Sequence, residues 1–135
     1  MPDESRIWHH RLTPGLVAVL IEAVNYVHQA NRNEFHLRDL HLSNSAYCNA
    51  QKLHYFALIA KTEKRGYWLI TNHGGAFLRN ELSVPDWVET LDNHIVAKSE
   101  KRVYISHFRG KIPEFQSEFF SEPAKVEEPM TPALF

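Results

Sequence analysis

The chain has 135 residues, 44% of them hydrophobic and 23% charged; this fits one core with extensions and excludes a wholly disordered chain. Its formal net charge of -1 supplies no global attraction to phosphates, so any nucleic-acid contact must come from a local patch. Cys48 is the single cysteine, which excludes an internal disulfide and a paired-cysteine zinc ribbon, and no apolar run approaches the roughly 18 residues that span a bilayer; the expectation is a soluble, cytoplasmic protein with no membrane partner.

Residues 1–11 begin with polar and acidic side chains and are expected to be a flexible segment. The first strong element opens at Thr13-Pro14, where the threonine can cap free backbone N–H groups and proline tolerates the first helical turn. Leu16, Val17, Leu20, Ile21, Val24 and Val27 then recur at helical spacing, giving one apolar stripe that must be buried. Asn31-Arg32-Asn33 closes this helix. The alternation at Phe35 and Leu37 predicts a short strand, followed by one helical turn near Leu40 and Leu42.

Ser43, Asn44 and Ser45 are good capping residues, and the run Ala46 to Ile59 carries Ala46, Ala50, Leu53 and Ala57 at helical spacing, which predicts a second long helix. Asn49, Lys52 and Tyr55 would face away from its buried side. Leu58 to Lys61 and Tyr67 to Thr71 are β-prone and flank a charged turn ending in Gly66, so a hairpin is expected. Thr71 or Asn72 can cap a further short helix through Ala76, Phe77 and Leu78, whose first turn the Gly74-Gly75 pair should weaken. Beyond Pro85, Trp87 to Leu91 and His94 to Ala97 flank Asp92-Asn93, a pair suited to a tight hairpin, and Arg102 to Phe108 reads as one more strand. The remainder holds Pro113, Pro123, Pro129 and Pro132 among glutamates and is expected to be a mobile tail.

Charge is unevenly distributed. From Arg109 onward there are three basic residues (Arg109, Lys111, Lys125) against five glutamates, whereas Asn31 to Arg65 holds six basic residues (Arg32, Arg38, Lys52, Lys61, Lys64, Arg65) against Glu34, Asp39 and Glu63. The middle of the chain is therefore mildly basic.

The order helix, short strand, helical turn, helix, charged hairpin is that of the winged form of the helix-turn-helix. The segments Gln51 to Ile59 and Gly66 to Arg79 resemble those of many small winged-helix proteins of bacteria and phages. The expected fold is α+β: a winged helix-turn-helix core over residues 12–82, a C-terminal β-hairpin extension over 83–108, and an acidic, disordered tail over 109–135. By analogy with DNA-binding members, the resemblance implies that the helix from Ser45 enters the major groove, with Ser45, Asn49 and Lys52 at bases or phosphates. The wing would offer Lys61, Lys64 and Arg65 to the backbone of double-stranded DNA. This helix carries one lysine and no arginine, so its counterion-release contribution is small.

Two functional readings follow. One is a DNA-binding winged-helix protein, a small transcriptional regulator or accessory factor. The other is a non-enzymatic winged helix for protein contact, a phage-type factor engaging a host or assembly protein, with Phe119, Phe120, Leu134 and Phe135 of the tail as docking residues. A homodimer is compatible with either, since exposed strand edges invite a second copy. His36, His41, Cys48 and His54 match no zinc spacing, so no metal or other cofactor is expected. No nucleophile-base pair, carboxylate pair or phosphate-cradling glycine loop can be assembled, which argues against an enzyme. Trp8, Trp68 and Trp87 are expected to anchor the core, and Cys48 to be a small packing residue.

Overall fold

The computed structural model describes residues 6–112, a mixed α+β arrangement around one apolar core. Its central element is α1 (Pro14–Ala30). Thr13 caps it, its Oγ1 accepting the Leu16 N–H at 3.2 Å, and Asn31 ends it in the left-handed region at φ 56°. Leu16, Val17, Val19, Leu20, Ile21, Ala23 and Val24 are all buried, so the apolar face is broad and the helix is packed on more than one side.

After β2 (Glu34–His36), a 3₁₀ turn at Leu37–Asp39 is fixed reciprocally by its flanks. His36 Nδ1 accepts the Arg38 N–H at 3.0 Å, and Asp39 Oδ2 accepts the His36 N–H at 3.0 Å. Next comes α2 (Asn44–Asn49), capped by Ser43 Oγ, which accepts the Ala46 N–H at 3.1 Å. The single helix expected from Ala46 to Ile59 is not found: α2 tightens into a 3₁₀ helix at Ala50–Phe56 and stops at Ala57, whose φ is 63°. The reason lies in the core residues. Ala50, Leu53 and Phe56 are buried at intervals of three, which places them on one line only when the helix has three residues per turn.

Strand β3 (Ile59–Lys61) and β4 (Tyr67–Ile70) form the expected hairpin, and β2 adds on the far side of β4, so the sheet order is β2-β4-β3 with all pairs antiparallel. Gly66 turns the hairpin at φ 83°, and a Cβ there would lie 2.8 Å from His36 Nε2. Helix α3 (Asn72–Leu78) starts at Thr71, whose Oγ1 accepts the Gly74 N–H at 2.9 Å and donates to the Ala57 carbonyl at 2.6 Å. Gly74 does more than weaken a first turn: a Cβ would collide with the Leu58 carbonyl oxygen, so glycine lets α3 close directly onto the chain entering β3.

The second sheet runs β1-β6-β7 and joins the start of the described chain to residues 87–98. Strand β1 (Trp8–Arg11) pairs with β6 (Trp87–Leu91) from Trp8↔Thr90 to Arg11↔Trp87, so residues 8–11 are ordered sheet and not part of a flexible segment. β6 turns into β7 (His94–Lys98) through Asp92 and Asn93, at φ 52° and 68°, as the sequence predicts. A short pair, β5 (Val84–Pro85) with β8 (Arg102–Val103), completes the strands. The strand expected to continue to Phe108 ends at Val103, because Ile105 and Phe108 turn inward together on a 3₁₀ helix.

Val84, Val88, Val103, Ile105 and Phe108 belong to the same core cluster as Leu20, Phe35, Leu53 and Phe77. The hairpin region is thus packed into the body of the fold rather than appended to it. Of the three tryptophans, Trp68 is 6% exposed, but Trp8 is 54% exposed and anchors no core. Cys48 is exposed and is not a packing residue. Among the described residues, no helix is long and apolar enough to cross a membrane.

Candidate functional site

The six DNA-contact residues expected from the sequence fall in three places. Ser45, Asn49 and Lys52 line a cleft of about 440 Å³ together with His9, His10 and Arg11 of β1 and Thr13, Gly15, Leu16 and Val19 at the start of α1. Lys61 lines a separate groove of about 710 Å³. Lys64 and Arg65 stand at the hairpin tip, where Lys64 Nζ is 3.6 Å from Glu34 Oε1 and 4.5 Å from the Tyr67 ring centroid. No residue lines both the cleft and the groove.

The cleft exists because β1 runs alongside the helical segment. His10 stacks on Tyr55 with ring centroids 5.0 Å apart, and its Nε2 lies 3.0 Å from the Thr90 hydroxyl oxygen. The other ring nitrogen, Nδ1, is buried with no hydrogen-bond partner. Burial lowers the His10 pKa from its ordinary 6.5, and Lys52 and His9 lower it further; all three favour the neutral imidazole. The face that would enter a major groove, carrying Asn49 and Lys52, is of intermediate exposure and shares a cleft with β1.

The groove lies between β3 and the β6–β7 hairpin. Lys61 comes from the end of β3, His54 and Tyr55 from the 3₁₀ helix, His73 from α3, His94 and Lys98 from β7, and Arg102 from β8. Its lining contains no aspartate or glutamate. Arg102 is anchored: its Nε donates to Ser83 Oγ at 3.0 Å and its Nη2 to the Ser83 carbonyl at 2.6 Å, which orders a guanidinium beside the groove. Tyr55 donates to Asn93 Oδ1 at 3.3 Å and ties the helical wall to the hairpin wall. His73 has its pKa lowered, first by burial and then by Arg102 and Lys98. The positive field of the two cations reaches it.

Lys98 and Arg102 escaped sequence reasoning because their relevance depends on a hairpin folding back over β3. Only their positive charge, outside the mildly basic middle segment, hinted at them. Among the described residues no group of three or more His, Cys, Asp or Glu side chains is disposed to hold a metal ion. The docking residues Phe119, Phe120, Leu134 and Phe135 lie outside the described residues. No family model, curated protein or solved structure matches the chain.

Proposed function

We propose that the chain is a DNA-binding protein of winged-helix type, of the kind that serves as a small transcriptional regulator or accessory factor, and that it grips the phosphate backbone of duplex DNA in the groove between β3 and the β6–β7 hairpin. The order of the elements and the β2-β4-β3 sheet support the winged-helix reading. The groove's composition carries the functional one: Lys61, Lys98 and Arg102 converge, with three histidines and no carboxylate, on one concave surface.

Cations on a surface without acidic groups favour polyanions through counterion release, which depends on charge and not on base sequence. The helix face is a poorer candidate for reading bases. Asn49 spends one amide donor on the Ser45 carbonyl at 2.9 Å, and Lys52 sits beside His10. Binding on this account is weak in sequence preference and strong in salt dependence. Anisotropy of a labelled duplex across a salt series tests it: log affinity should fall with log salt at a slope of about −2 to −3, as expected for two or three neutralised phosphates. Absence of salt-sensitive binding at low ionic strength would exclude the function.

A further inference from the structure

The cleft of about 440 Å³ beside β1 is distinct from the groove, and its chemistry points to a smaller partner. Two permanent cations, Arg11 and Lys52, line it, together with the hydroxyls of Thr13, Ser43 and Ser45. Thr13 Oγ1 and Ser43 Oγ each accept a backbone N–H, from Leu16 and Ala46, so each keeps its own O–H hydrogen to donate. No carboxylate lines the cleft. The nearest acidic partner of Arg11 is Asp86, at 3.9 Å, and the Arg11 side chain is 64% exposed, so its charge is only loosely committed. Leu16, Val19 and Ala46 supply apolar wall.

We infer that this cleft binds a small organic phosphate, a phosphomonoester whose oxygens meet Arg11, Lys52 and the three hydroxyls while its organic part rests on Leu16, Val19 and Ala46. The donor count selects the chemistry. A carboxylate presents two oxygens and a single negative charge, which one cation balances. Two cations and three hydroxyls suit a dianion with three terminal oxygens. The volume falls within the roughly 300–1,000 Å³ of small-molecule sites. α1 adds the positive end of a 17-residue helix at Thr13 and Gly15. The His10 pKa is lowered first by burial and then by Lys52 and His9, so the Lys52 charge reaches the cleft as a secondary effect.

The test is an amide chemical-shift titration of the full chain with phenyl phosphate, with inorganic phosphate and benzoate in parallel. Saturable shifts should appear at Gly15, Leu16, Ser45 and Asn49, with phenyl phosphate binding more tightly than either control. Arg11→Gln and Lys52→Gln should each weaken it roughly tenfold, the worth of one charge-assisted hydrogen bond. Because Arg11 is exposed, R11Q reads the contact even if K52Q perturbs folding. Lys61→Gln and Lys98→Gln should leave it unchanged, which separates this site from the proposed DNA groove. The inference is overturned by any of three results: no cleft shifts at millimolar phenyl phosphate, equal affinity for benzoate or inorganic phosphate, or unchanged affinity in both R11Q and K52Q.

Discussion

Ala57 is the residue at which local preference and tertiary structure disagree most openly. It holds φ 63°, a conformation that costs an L residue about 1–2 kcal/mol, and it is held there because its carbonyl accepts the Thr71 hydroxyl at 2.6 Å. Glycine relieves that cost but adds about 0.4–1 kcal/mol of unfolded-state entropy. Ala57→Gly should therefore stabilise the protein by about 0.5–1 kcal/mol, read as an increase in the urea midpoint at constant m-value. Gly74 is the opposite case. Its missing Cβ makes room for the Leu58 carbonyl, and Gly74→Ala should destabilise by about 1–3 kcal/mol, the usual cost of overpacking. A neutral or positive shift in midpoint would show that α3 can move away from β3 freely.

His10 and His73 make stability depend on pH at this same scale. Both have pKa values lowered from 6.5, by burial first, then by Lys52 and His9 for His10 and by Arg102 and Lys98 for His73. Below pH 6.5 the unfolded chain takes up protons that the folded protein refuses, so the contribution is complete above 6.5 and is lost as pH falls through the depressed folded values. Urea midpoints measured downward from neutrality should fall over that window, and His10→Gln combined with His73→Gln should flatten the fall. Identical profiles for the variant and the wild type would contradict the assignment.

Among the elements, those governed by adjacent residues were legible in the sequence. Thr13, Ser43 and Thr71 cap the helices assigned to them, Asn31 closes α1, and Gly66 and Asp92-Asn93 turn the two hairpins. Each is a local matter of side-chain reach or backbone freedom. The failures are elements set by distant partners. β1 has little apolar pattern and is a strand only because β6, roughly eighty residues later, supplies its hydrogen bonds. The segment Ala50–Phe56 has helical composition, but its core contacts repeat every three residues and draw it into a 3₁₀ form. The same limit applied to the sites. Lys61 was recognisable from its hairpin, while Lys98, Arg102 and the β1 side of the cleft required the second sheet to be in place.

For the whole molecule, the consequence is that the proposed DNA contact moves from the helix to the groove. A winged helix read from sequence places its second helix in the major groove; here β1 lines one side of that helical segment and the β6–β7 hairpin faces the other. The proposed polyanion surface is the carboxylate-free groove, with the hairpin as its second wall. Lys64, paired with Glu34, then has a lesser part than its place at the wing tip suggests.

The most direct test compares the salt dependence of duplex binding for the wild type, a Lys61→Gln/Lys98→Gln variant and a Lys52→Gln variant, each first shown to be folded by its thermal transition. The groove account predicts that the Lys61/Lys98 variant binds more weakly at low salt, with a slope shallower by about one for each lost phosphate contact, while Lys52→Gln keeps the wild-type slope. A slope reduced by Lys52→Gln and unchanged by the Lys61/Lys98 variant would contradict it and return DNA contact to the helix.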